Sequence, residues 1–225
     1  ALDYGSILHG IDGLALGDIF NVTLGGSNGT VIPGAVFGGL RKHPSATVSL
    51  IQKGATVSFT GRDVGGVKNS DLFDFAFMNK APSNDAILSA IGAAGSSFTY
   101  AFAHNGSLPG YGSFAVETGI TEGTKVNVYK FEADTSRFSL IASSVPVAAG
   151  GVVKYRNNMT SEYVITTETI AGASVSDAFS HQGKGVWLPG QWWFWTLIAL
   201  ALAGGGFALW FFMIRKRRPA GGTPA

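Results

Sequence analysis

The chain has 225 residues, of which 13% are charged, with 32 glycines, no cysteine and a formal net charge of +2. The absence of cysteine excludes a disulfide framework and zinc–thiolate sites. Four of the 16 basic residues stand together at 215–218, so the rest carries a slight acidic excess, which excludes a strongly basic nucleic-acid surface.

Low charge with abundant Gly, Ser, Thr and Val favours strands and turns over helices. The start, Ala1-Leu2-Asp3, has neither the basic region nor the apolar run of a secretory signal. The expectation is a mature chain from which a signal peptide was removed. Residues 1–45 are glycine-rich and weakly patterned. Leu14–Leu16 and Asp18–Leu24 offer a strand each, followed by a Gly25–Gly29 turn. The segment is expected to supply edge strands or a small separate lobe.

From Ala46 the alternation sharpens. Thr47–Ile51 and Ala55–Thr60 flank Gln52-Lys53-Gly54 as a hairpin. Leu72–Phe77 places Phe73, Phe75 and Phe77 on one face, and Ala86–Ala94 is the one short stretch with helical character. Six further strands are predicted: Phe98–Phe102, Gly112–Thr118, Val126–Phe131, Phe138–Ser143, Val152–Tyr155 and Tyr163–Thr167. Asp134–Arg137 is a polar hairpin turn, and Leu108-Pro109-Gly110 has the Pro-Gly order of a type II turn. The spacing predicts a mainly β chain, an antiparallel β-sandwich over 46–167, with a polar juxtamembrane spacer over 168–190.

The C-terminal segment reads differently. Trp192–Ile214 is an uncharged, mostly apolar run, followed at once by Arg215-Lys216-Arg217-Arg218. A hydrocarbon core of ~30 Å takes ~20 such residues as a helix. A transmembrane helix is therefore predicted over 191–214. Trp192, Trp193 and Trp195 would anchor it at one interface and Trp210 at the other. The basic cluster keeps the tail 215–225 cytoplasmic and everything before the span outside. Ala201 with Gly205, and Gly204 with Ala208, stand at the small-xxx-small spacing at which two helices can approach closely.

Several motifs occur in order: His104-Asn105-Gly106-Ser107-Leu108-Pro109-Gly110, Val126 to Phe138, Gly150 to Tyr155, and Ser161-Glu162-Tyr163-Val164-Ile165-Thr166. Over about 46–167 they resemble the G-x-L-P-G and S-x-Y-V-I-T motifs of a β-rich module found in Gram-positive, clostridial-type, membrane-anchored surface proteins. The resemblance implies an extracellular β module and no particular activity. Leu188-Pro189-Gly190-Gln191-Trp192 is similar to a sortase signal but lacks its threonine, so membrane retention is expected rather than wall cleavage.

No catalytic constellation stands out. His9, His43, His104 and His181 are isolated and read as surface residues. Asp71 and Asp74 form the best carboxylate pair but lack a third oxygen ligand nearby. No cofactor or metal is expected. The sequons at Asn21, Asn28, Asn105 and Asn158 read as chance matches. All five Trp lie at or beyond 187, so sugar stacking in the outer domain would fall to tyrosine, and Tyr111, just past the Leu-Pro-Gly turn, is the residue expected to be exposed. The expectation is a non-enzymatic structural or adhesive module at the cell surface. Its partners would be the lipid bilayer, and itself or other surface proteins. The alternative is a receptor for polysaccharide or cell wall.

Overall fold

A computed structural model describes residues 2–26, 29–92 and 95–182. The predicted transmembrane helix, its tryptophan and basic anchors, Gly204, Gly205 and Ala208 all lie outside the described residues.

The N-terminal segment holds two helices that the glycine content obscures. Helix α1 (Tyr4–Asp12) starts at Asp3, whose carboxylate accepts from Ser6 N at 3.2 Å and Ser6 Oγ at 2.6 Å. This cap satisfies a first-turn N–H that the helix cannot bond internally. Ile7 and Ile11 are its buried stripe. Leu14–Leu16, expected as a strand, is instead the loop leading from α1 into β1 (Ile19–Thr23). Strand β2 (Val31–Pro33) runs directly into α2 (Gly34–Leu40). The sequence of α2, Gly-Ala-Val-Phe-Gly-Gly-Leu, has little intrinsic helix propensity. Burial of Val36, Phe37 and Leu40 overrides that preference, each having no exposed surface.

The remaining elements are β3 (Thr47–Gln52), β4 (Ala55–Thr60), β5 (Leu72–Asp74), β6 (Phe77–Met78), α3 (Asn84–Ile91), β7 (Ser97–Glu117), β8 (Lys125–Glu132), β9 (Arg137–Pro146), β10 (Val152–Thr166) and β11 (Ser174–Val175). Nine strands form one sheet in the order β1-β3-β4-β7-β10-β8-β9-β11, with β6 beside β7, while β2 and β5 pair separately.

The protein is mainly β, as expected, but the sheet is mixed. β1 runs parallel to β3, and β11 parallel to β9. Four of the predicted strands are halves of two long ones. Phe98–Phe102 and Gly112–Thr118 fall on the 21-residue β7, and Val152–Tyr155 and Tyr163–Thr167 on the 15-residue β10. The two pair antiparallel with register shifts at Asn157/Met159 and Thr160/Glu162. Those bulges bend the strands without ending them. The N-terminal half of β7 bonds β6 and the C-terminal half bonds β4. One sheet therefore runs through the bend, where the alternation had suggested two separate layers.

Leu108-Pro109-Gly110 is likewise extended rather than a type II turn. Gly110 bridges Val64, and Gly65 N donates to Pro109 O at 2.6 Å. A Cβ on Gly110 would overlap the Asp63 carbonyl oxygen, so glycine serves close backbone approach here rather than a turn. We expect Gly110→Ala to destabilise the body by about 2–3 kcal/mol, the cost of forcing a rigid backbone clash. A shift in the urea midpoint would measure it, and an unchanged midpoint would contradict the close approach.

One apolar core joins the helices to the sheet. Phe37 on α2 meets Phe59 at 5.0 Å and Phe73 at 5.4 Å between ring centroids, edge to face. Of the aligned phenylalanines, Phe73 and Phe75 are buried and Phe77 is half-buried. Residues 1–182 form one compact unit. The predicted spacer is folded as far as Gln182. Asp177–His181 forms a 3-10 turn, and Gln182 accepts from Arg156 N at 2.8 Å and also donates to Ala178 O at 3.0 Å.

Candidate functional site

A concavity of about 900 Å³ lies where the β3–β4 turn, β6 and both ends of β7 converge. Phe77, Met78 and Phe98 form its half-buried floor, and Lys53, Glu117 and Thr118 line its rim. Gly54, in the β3–β4 turn, has φ +87°, and a Cβ there would meet Phe77 at 2.9 Å. Glycine thus permits both the turn and the seating of the Phe77 ring.

The floor is the outer end of an aromatic column. Phe98 stacks on Tyr100 at 6.1 Å, Tyr100 on Tyr163 at 5.2 Å, and Phe114 on Tyr155 at 5.1 Å. The hydroxyls of Tyr100 and Tyr155 share a hydrogen bond. Tyr163 Oη donates to Met159 O at 2.8 Å and accepts from Asn157 Nδ2 at 2.8 Å. Burial pushes all three phenols above the ordinary tyrosine value, and for Tyr100 and Tyr163 the neighbouring Tyr155 adds to it. These tyrosines are neutral structural residues across the physiological range.

The expected ligand residue, Tyr111, is not freely exposed. It is half-buried, and one face of its ring is stacked on His181 at 4.0 Å between centroids. The 3-10 turn that brings His181 there was invisible in the polar composition of 168–190. Tyr100, Tyr129 and Tyr155 are buried as well, and Tyr4 is exposed with its hydroxyl donating to Val31 O at 2.9 Å. Within the groove the aromatic surface is that of Phe77 and Phe98, both half-buried. The sequence gives no sign of this, because the groove gathers residues from positions 53 to 150.

The histidines remain apart from one another. His104 stands on β7, edge-on to Phe73 at 5.3 Å, with Nε2 3.1 Å from Ser107 O. Several acidic residues hold the fold. Asp71 accepts from Lys68 N at 2.9 Å, and Asp74 from Thr30 Oγ1 at 2.6 Å and Ala76 N at 3.0 Å. Asp63 pairs with Arg156 at 2.9 Å. Glu132 pairs with Lys130 at 2.7 Å, and that lysine holds its carboxyl below the usual range. Glu162 accepts from Ser83 N at 2.6 Å and Ser83 Oγ at 3.0 Å, which fixes the start of α3.

The buried Thr160 Oγ1 has no hydrogen-bond partner among the described residues. Removing an unsatisfied hydroxyl while keeping the shape recovers its desolvation cost. We expect Thr160→Val to raise stability by about 1 kcal/mol, read as a higher denaturant midpoint at unchanged slope. A lower midpoint would mean that the hydroxyl is bonded in solution.

No protein-family model matches the chain, and no curated protein matches it in sequence.

Proposed function

We propose that the chain is a non-enzymatic structural or adhesive module of the cell surface, held by one C-terminal transmembrane helix with residues 1–190 outside. The observation that carries this reading is the uncharged run Trp192–Ile214 closed by Arg215–Arg218. Its length matches a bilayer, and its basic cluster supplies the orientation. The body adds support of a different kind. Its acidic side chains Asp63, Asp71, Asp74, Glu132 and Glu162 are spent on ion pairs and backbone N–H groups. A β body that uses these acids to hold its own fold suits display and contact. The motifs shared with clostridial-type surface modules point the same way.

Flotation with liposomes tests the anchor. The full chain is expected to float, and a version ending at Gln182 to stay at the bottom of the gradient. A full chain that fails to float contradicts the reading.

The groove favours one second reading, a polysaccharide or cell-wall receptor. Apolar ring faces beside Lys53 and Glu117 offer both stacking and hydrogen bonding to a sugar. Retention on insoluble polysaccharide that is lost in Phe98→Ala would establish it. Retention unaffected by Phe98→Ala would move the site elsewhere.

A further inference from the structure

The two ends of the nine-stranded sheet are finished differently. At one end β9 is covered in part by β11, whose Ser174 hydroxyl lies 2.8 Å from that of Ser139, and Ser176 N donates to Leu140 O at 3.0 Å. The rest of β9 is shaped against pairing, with Ser144 at φ +53° and Pro146 at its end. Irregular backbone and proline are the ordinary means of blunting a sheet edge.

The other end, β1, has none of these devices. Ile19-Phe20-Asn21-Val22-Thr23 carries no charge, proline or bulge. Its bonding direction follows from its flanks. Thr47 N donates to Asp18 O at 2.9 Å, and Leu24 N donates to Ile51 O at 2.8 Å. In a parallel pair the residues bonded to the neighbour alternate. Positions 18, 20, 22 and 24 therefore face β3, and the N–H and C=O of Ile19 and Asn21 face away from it. Among the described residues no hydrogen bond reaches those four groups. The Ile19 side chain is 64% exposed, and Leu16, just before the strand, is 88% exposed.

We propose that β1 is a self-pairing edge, through which two copies of the chain join antiparallel about a two-fold axis at Phe20. In that register Ile19 of each copy lies opposite Asn21 of the other. Their outward N–H and C=O groups form bonded pairs, and Phe20 faces Phe20 across the axis. Asp18 falls opposite Val22, so no like charges meet. The contrast between the two ends decides the kind of assembly. One open and one blunted edge allows an isologous dimer that closes on itself, whereas two open edges would give a fibre. The inference deepens the proposed surface role by naming its partner, a second copy. It rests on that reading in one respect: tethering to one membrane raises the local concentration, so that a short edge suffices.

The lack of native cysteine makes the test direct. Single cysteines are placed at positions 16 to 24 of the full chain, and Val175→Cys, on the two-residue strand β11 that ends the other side of the sheet, serves as a control. The proteins are reconstituted in liposomes and oxidised. Disulfide dimers are expected to peak within 19–21 and to be scarce at 175. Adding Asn21→Pro, which removes one edge N–H donor from each copy, or Ile19→Lys, which sets a charge from each copy at the seam, should lower the cross-linked fraction about tenfold or more. Neither change removes a hydrogen bond between β1 and β3, and circular dichroism on each variant verifies the fold. Absence of a peak, or a peak that Ile19→Lys leaves intact, overturns the proposal. Flotation of the same samples reports the anchor separately, so failure of the edge and failure of the membrane reading are distinguishable.

Discussion

Raising the pH above 10 is expected to unfold the β body steeply. Tyr100, Tyr155 and Tyr163 are each buried from solvent, and burial raises each phenol above its ordinary value of 10.0. The folded chain therefore keeps three protons that the unfolded chain releases as the pH passes 10. Below that pH both states hold these protons, and the three tyrosines add no pH dependence. Above it, stability falls by ~1.4 kcal/mol per pH unit for each tyrosine, or ~4 kcal/mol per unit for the three together. A domain of ordinary stability, 5–15 kcal/mol, would be exhausted within roughly one to four units. Phenolate absorbance and far-ultraviolet circular dichroism should change together for these residues. Tyr155→Phe should reduce the slope by about a third. Phenolate appearing near pH 10 in all six tyrosines, with the dichroism intact, would contradict the buried column.

Phe37→Ala is expected to lower the stability of the entire body by about 3–5 kcal/mol, the cost of emptying a fully enclosed aromatic site. Phe37 has no exposed surface and touches the rings of Phe59 and Phe73. The loss should appear in one cooperative transition, because α2 belongs to the same core as β4 and β5. Two transitions, of which the mutation moves only one, would mean that residues 1–45 fold as a lobe of their own. In a domain of typical stability this single change approaches the threshold of unfolding at physiological temperature.

Strands were legible where alternation was strict and both ends were marked by turn residues. Thr47–Ile51, Ala55–Thr60, Val126–Phe131 and Phe138–Ser143 correspond to β3, β4, β8 and β9. The centres of β7 and β10 were not legible, because glycine, proline and asparagine at bulges look the same in sequence as they do in turns. Gly106 and Asn157 sit at irregularities within strands, and Pro109 presents its carbonyl to Gly65. Helix α2 was hidden for another reason: three of its seven residues are glycine, and its helicity comes from tertiary burial. The parallel placement of β1 beside β3 depends on the crossover through β2 and α2 that joins them, which no local pattern reports.

The candidate site was the least legible part. Exposure of Tyr111 was inferred from a turn that is not formed, and its covering partner, His181, comes from a segment whose composition suggests only a linker. Phe98 was placed on a strand but not at a surface, since that depends on how β6 and the β3–β4 turn surround it. In the closing motif Tyr163 is a packing residue whose hydroxyl is bonded to Asn157 and Met159.

The most direct test of the surface-module account is protease treatment of intact cells producing the full chain with an epitope after Ala225. Removal of the β body, with a short membrane-bound fragment retaining the epitope, is the result expected from a body outside and a basic tail inside. An epitope cleaved on intact cells, or a full-length chain protected until lysis, would contradict the account.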